Sequence, residues 1–143
     1  MLTARVTLDV GMGTFKPVDV EDLDDHPMHA ETWTIDQTAA DAINHAKADR
    51  RRVIAVGTTS CRTLESQPPG DLHPGQGRTD LFIRPPYEPK HIAGLLTNFH
   101  LPRSTLLALL DGLITTDTRH VLYNEAIAHD YRFFSYGDAM LIL

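Results

Sequence analysis

The stretch Val53-Ile54-Ala55-Val56-Gly57-Thr58-Thr59-Ser60-Cys61-Arg62-Thr63-Leu64-Glu65 decides the fold. A short apolar run, mostly β-branched, stops at a glycine. Three hydroxyl residues follow, then Cys61, Arg62 and helix-compatible residues. The pattern predicts a buried strand, a tight turn and a helix start. It gathers free backbone N–H groups, hydroxyls and a guanidinium at the carboxyl end of a strand, where open α/β sheets collect ligands. A helix amino terminus also favours a carboxylate or phosphate. The stretch therefore points to a small-molecule or nucleotide site.

Size and composition bound the rest. A chain of 143 residues has room for one domain and one core, and the expectation is a single α/β domain over 1–143. Its 42% apolar and 22% charged residues are ordinary for a globular protein. No apolar run approaches the ~18–20 residues of a membrane span, and Asp111 and Gly112 break the longest candidate, Leu106 to Ile114. Arg5 has no apolar core behind it, so no signal peptide is expected. The single cysteine, Cys61, excludes an internal disulfide framework and suits a reducing cytosol, so a cytoplasmic protein is expected. The net charge of −6 argues against broad electrostatic capture of nucleic acid, though a local basic patch remains open. Arg50, Arg51 and Arg52 read as a solvated helix end, because cations suit a helix carboxyl terminus.

Strands and helices roughly alternate along the chain. Val6 to Val10 alternates apolar and polar, then reaches Gly11-Met12-Gly13-Thr14, a turn. Trp33 to Ile35 reads as a short strand, and Asp36 as the N-cap of a helix from Gln37 to about Arg50. Ala39, Ile43 and Ala46 mark one face of that helix. Gln67 to Arg78 is rich in proline and glycine and reads as a loop. Leu81 to Ile83 is predicted as a strand, and Ile92 to Phe99 supplies another, ending at His100. Pro102 suits the first turn of a helix from Arg103 to about Leu113. Thr116 to Arg119 reads as a break, and Thr118 to Asp130 as a last helix with Leu122, Ala126 and Ile127 inward. Phe99, Phe133 and Phe134 are expected in the core, and Ala139 to Leu143 as a closing strand. The class is α/β, a mixed sheet with flanking helices. A chain that starts and ends on strands either pairs them with each other or belongs to a larger fold.

Six motifs, in order, carry a resemblance. They are Val10-Gly11-Met12-Gly13-Thr14-Phe15-Lys16-Pro17-Val18, His26-Pro27-Met28-His29-Ala30-Glu31, Val56 to Ser66, Thr79-Asp80-Leu81-Phe82-Ile83, Leu95 to Leu107, and Tyr131 to Ile142. Together they closely resemble the S-adenosylmethionine:tRNA ribosyltransferase-isomerase family of queuosine biosynthesis. The resemblance covers essentially the whole chain. It implies a carboxyl-terminal portion of a two-domain fold more than twice as long, whose amino-terminal part and inserted β-barrel are absent here. The implied reaction moves the ribosyl group of S-adenosylmethionine onto 7-aminomethyl-7-deazaguanine in tRNA and rearranges it to epoxyqueuosine. Adenine and methionine leave. The implied partners are S-adenosylmethionine as co-substrate, the modified tRNA and the missing amino-terminal half, with no membrane and no other cofactor. The chain has Asp9 where the family usually has histidine, and Pro86 and Pro89 where it tends to have glycine and phenylalanine. The other implied role for this chain is a non-catalytic fragment or subunit that binds S-adenosylmethionine or tRNA.

The implied chemistry asks for a base near neutral pKa, a carboxylate clamp and a ribose reader. Histidine suits the first role, and His29 and His100 are the candidates. His26-x-x-His29-x-Glu31 has ligand types that zinc accepts, but no third nitrogen or thiol lies nearby in sequence, and the implied chemistry needs no metal. His100 belongs at the same sheet edge as Thr58 if the two strands are parallel; the other reading is a hydrogen-bonded structural histidine. Thr58, Thr59 and Ser60 exceed what capping alone requires. Arg62 either forms a two-pronged pair with a substrate anion or a salt bridge with Glu65 or Asp80. Asn98 either reads a nucleobase edge or satisfies a turn. Arg103 either holds a phosphate or carboxylate or is a surface cation beside capping hydroxyls. Asp138 either binds ribose hydroxyls or stabilises its turn. Cys61 is expected as a buried filler, not a nucleophile.

Overall fold

The computed structural model describes residues 1–11, 28–135 and 137–143. Among the described residues, ten elements run in the order β1 (Thr7–Asp9), β2 (Glu31–Ile35), α1 (Gln37–Ala48), β3 (Ile54–Val56), α2 (Thr58–Glu65), β4 (Gly75–Thr79), β5 (Gly94–Asn98), α3 (Thr105–Leu113), α4 (Thr116–Ala128) and β6 (Ala139–Ile142). They form two three-stranded sheets. In the first, β2 lies between β1 and β4, and both pairings are antiparallel. In the second, β5 lies between β3 and β6, parallel to β3 and antiparallel to β6. The α/β class holds, with the strands divided between two sheets. The first and last strands pair within separate sheets and not with each other.

The first sheet buries one face. Leu8 of β1 and Gly77 of β4 flank Trp33 of β2, and Glu31 and Ile35 share its side of the strand. Thr32 and Thr34 take the opposite face. A Cβ on Gly77 would stand 2.5 Å from Trp33 Cζ2, so the indole occupies the space that a side chain there would fill. That contact is why a segment with the composition of a loop forms β4: the glycine that weakens the strand pattern is what lets Trp33 pack. Leu81 to Ile83 is not a strand. Its backbone serves side chains instead, with Leu81 N–H donating to Thr79 Oγ1 at 3.1 Å and Leu81 carbonyl accepting from Arg62 Nε at 3.2 Å.

Helices α1, α3 and α4 start where small polar side chains cap them. Asp36 accepts from Ala39 N–H at 2.7 Å, and α1 buries Ala39, Ala40 and Ile43. It stops at Ala48, and Arg50 adopts the left-handed conformation that commonly follows a helix end (φ 55°). Ser104, not Pro102, opens α3, accepting from Leu107 N–H at 3.3 Å. Arg103, at φ 57°, stands outside the helix. Thr115 caps α4, so that helix begins inside the expected break, accepting from Thr118 N–H at 3.2 Å. Leu122 and Ile127 are exposed, and α4 turns Ala126 and half-buried Tyr123 inward instead. Tyr123 joins Phe99, Tyr131 and Phe133 in an aromatic cluster of edge and tilted contacts at 5.3–5.7 Å.

Helix α2 packs against β1 of one sheet and β3 and β5 of the other. Two buried charges fasten it. Arg62 Nη1 donates to Glu31 Oε2 of β2, and both side chains are almost completely enclosed. Glu65 accepts four hydrogen bonds: from Tyr87 O–H (2.8 Å) and from the backbone N–H groups of Lys90 (2.8 Å), His91 (2.9 Å) and Ile92 (3.0 Å). Its carboxylate therefore holds the connector that leads into β5. Replacing Gly77 by alanine is expected to force Trp33 from its seat. We expect a loss of about 1–3 kcal/mol, read as a lower thermal midpoint and altered fluorescence of the single tryptophan.

Candidate functional site

Strands β3 and β5 run parallel, pairing Val56 with Leu96, so both deliver their carboxyl ends to one edge. Gly57 N–H donates to Leu96 carbonyl at 2.8 Å, extending the ladder one residue. Gly57 then turns at φ 86°, a conformation that strains any side chain, and α2 begins. The first α-helical bond runs from Cys61 N–H to Gly57 carbonyl at 3.1 Å, so the N–H groups of Thr58, Thr59 and Ser60 precede it. None of these hydroxyls caps the helix; the capping position is Gly57, without a side-chain bond. Helix α3 opens at the same edge, following β5. Between the two helix amino termini lies an open cleft of about 490 Å³.

Five residues singled out from the sequence line this cleft: Thr58, Thr59, Asn98, His100 and Arg103. His100 sits against Thr97, its Nε2 2.8 Å from Thr97 Oγ1, and its backbone N–H donates to Tyr123 Oη at 2.9 Å. Burial pushes the imidazole pKa down to about 4, so the ring is neutral near pH 7. Asn98 Nδ2 donates to Asp138 carbonyl at 3.2 Å, so its amide satisfies a turn while the residue borders the cleft. Arg103 is exposed on the rim.

Four candidates are not among the cleft-lining residues. Ser60 is half-buried in the first turn of α2. Asp138 closes its own turn: its carboxylate accepts from Arg132 N–H at 2.8 Å, and its N–H donates to Arg132 carbonyl at 2.8 Å. That backbone N–H, aided by the Arg132 guanidinium, holds the carboxyl below the usual range. Arg62 is buried against Glu31; neither Glu65 nor Asp80 is its partner. His29 is exposed, two residues before the antiparallel strand β2. His26 lies outside the described residues. Among the described residues, no group of three or more His, Cys, Asp or Glu side chains could hold a metal ion. Cys61 is fully buried, and burial, then Glu65, pushes its thiol up to about 12.

The structure adds residues that the sequence did not mark. Phe134, expected in the core, is 56% exposed at φ 67° and lines the cleft, whereas Phe99 is buried and Phe133 half-buried. Neighbouring aromatics in a tight turn cannot both face inward. His91 is buried, its Nε2 2.9 Å from Pro68 carbonyl and its Nδ1 3.1 Å from Lys47 Nζ. The carbonyl only accepts, so Nε2 carries the proton and Nδ1 receives the lysine's. Burial, then Lys47, lowers its pKa.

Known proteins match nearly the whole of this chain. A family model described as queuosine biosynthesis protein matches residues 1–142. The S-adenosylmethionine:tRNA ribosyltransferase-isomerase of Symbiobacterium thermophilum is 52% identical over 141 residues, 97% of this chain and 41% of that protein. The protein of the same description from Parvibaculum lavamentivorans is 52% identical over 142 residues, 98% of this chain and 41% of its own length. The crystal structure of an S-adenosylmethionine tRNA ribosyltransferase from Thermotoga maritima superposes with a TM-score of 0.73 at 44% identity. That match covers 79% of this chain and 40% of the Thermotoga chain. The chain thus spans about two-fifths of the relatives it matches.

Both lowered histidines bind protons more readily in the unfolded chain, so stability falls as pH drops from the ordinary histidine value of 6.5 toward about 4. His100→Asn is expected to flatten that dependence in chemical denaturation at several pH values. Arg62→Ala removes the buried cation that faces the Glu31 carboxylate and is expected to cost about 3–5 kcal/mol in the same measurement.

Proposed function

The chain belongs to the queuosine biosynthesis protein family, and from that membership we propose that its cleft is the S-adenosylmethionine pocket of a tRNA ribosyltransferase-isomerase. The proposed reaction transfers the ribosyl group of S-adenosylmethionine to 7-aminomethyl-7-deazaguanine in tRNA and isomerises it to epoxyqueuosine. Adenine and methionine are released. The observation that carries the reading is the convergence of two helix amino termini on one cleft at the ends of parallel strands. Such a position favours a carboxylate, as the amino-acid end of the co-substrate would present.

Roles follow from position and charge. Thr58 and Thr59, with the first-turn N–H groups of α2, offer donors to that carboxylate. Arg103 offers a cation on the rim, suited to a tRNA phosphate or to the same carboxylate. His100 is the candidate base. A neutral ring has an unprotonated nitrogen, the form that can accept the C5′ proton acidified by the sulfonium. Its lowered pKa limits its driving force, so the sulfonium has to provide much of the acidity. Protein material outside this chain, the amino-terminal portion of the relatives, completes the site. The chain's share of two-fifths of their length also supports a second reading, a subunit that binds co-substrate without turning it over.

The test is adenine release from S-adenosylmethionine with tRNA carrying 7-aminomethyl-7-deazaguanine. It is run with this chain alone and with the amino-terminal portion of a relative supplied. Release in the supplied reaction, lost on His100→Gln and reduced at least tenfold by Arg103→Ala, is the expected result. Binding without release in either case leaves the subunit reading. Neither binding nor release removes both.

A further inference from the structure

Three strands end or begin at the edge that holds the cleft, in the order β3, β5, β6. Gly57, Thr58 and Thr59 follow β3; Asn98 closes β5, and His100 comes just after it. Strand β6 runs the other way. Its first residue, Ala139, pairs with Asn98, so the segment that enters β6 lies at this edge too. Phe134 and Ser135 of that segment line the cleft. The lining residues therefore form a row, with Thr58 and Thr59 at one end, His100 at the centre and Phe134 at the other end. Neighbouring strands lie ~4.8 Å apart, so the row spans about 10 Å.

The far end of the row presents an aromatic side chain. One exposed apolar residue is ordinary on a protein surface. A bulky residue at positive φ is not, and Phe134 combines that conformation with its exposure. Its surroundings hold it there. Phe134 N–H donates to Phe99 carbonyl at 3.0 Å, and Phe134 carbonyl accepts from Gly137 N–H at 2.9 Å. A Cβ on Gly137 would collide with the Arg132 backbone, so the turn closes without room for a side chain. Asp138 bonds both backbone groups of Arg132 and locks the base of the turn. Phe133, the preceding residue, is anchored against Phe99 and Tyr123. Both flanks of Phe134 are fixed, and the side chain between them is left bare at the cleft.

We infer that Phe134 is the stacking platform for the adenine of S-adenosylmethionine, and so sets the direction in which the co-substrate lies. The choice of guest rests on the function proposed above. S-adenosylmethionine carries its carboxylate at one end, its adenine at the other and the sulfonium–C5′ bond between them. The first-turn donors of α2, at the Thr58 end of the row, suit the carboxylate. Laid along the row from that end, the molecule brings its adenine to Phe134 and its C5′ carbon to the centre, where His100 stands. Laid the other way, it sets a carboxylate against a phenyl face and leaves the helix donors to the base. Stacking accepts any base, because every base has a π face. The competing guest is therefore 7-aminomethyl-7-deazaguanine, and the test separates the two.

The experiment is titration calorimetry of the full chain with S-adenosylmethionine, adenosine, methionine and free 7-aminomethyl-7-deazaguanine. Phe134→Ala is expected to weaken S-adenosylmethionine and adenosine about tenfold and to leave methionine within about twofold. Phe134→Leu keeps apolar bulk without a π face and is expected to lose as much. Phe134→Tyr is expected to retain the native affinities. Each variant is expected to keep the native thermal midpoint, because the replaced side chain is exposed. Three results overturn the inference. The first is a native chain that does not bind adenosine. The second is adenosine affinity unchanged in Phe134→Ala and Phe134→Leu. The third is a loss confined to the deazaguanine, which gives the ring to the tRNA base. The two readings fall separately. S-adenosylmethionine bound equally well by Phe134→Ala keeps the co-substrate pocket and removes the platform. Adenosine bound through Phe134 with no binding of S-adenosylmethionine keeps the adenine platform and removes the co-substrate pocket.

Discussion

Helix α2 is the joint of this fold, and the buried pair of Arg62 and Glu31 is what fixes it. The helix has eight residues, too few to be stable on intrinsic propensity. Its place is set by tertiary contacts from its last turn. Arg62 ties it to the central strand of the antiparallel sheet, and Glu65 ties it to the connector that leads into the parallel pair. Both charges have been taken out of water, which is tolerable only because each is met by donors or an opposite charge. The amino terminus of α2 is then held where Thr58 and Thr59 meet the cleft.

The division between legible and hidden features has a physical origin. Local signals are plain wherever a short polar side chain or a glycine acts on its own neighbours. Asp36 capping α1 and the strand–Gly57–helix passage are examples. The sequence places His100 beside Thr58 only on the condition that their strands run parallel, and the pairing of β3 with β5 meets it. Features made by partners distant in sequence are hidden. Arg62 sits in a motif that looks built for a ligand, yet its partner lies 31 residues earlier, on β2. Gly77 reads as a loop residue until the indole of Trp33 is seen in its space. Phe134 reads as core because composition cannot say which of two adjacent rings turns outward.

The cleft combines ordinary ingredients in one place. Parallel strands put their following helices side by side, and each helix amino terminus contributes partial positive charge. Arg103 and Phe134, both in left-handed backbone conformations, border the same space. Residues held in such conformations at a site are kept there by their surroundings, and here two of them face one cleft.

The neutral ring of His100 carries a thermodynamic corollary. It is uncharged because water has been withdrawn from it, not because a cation opposes it. An anion seated beside it therefore lowers the free energy of the imidazolium and draws a proton from bulk. By linkage, affinity for such an anion strengthens toward acid.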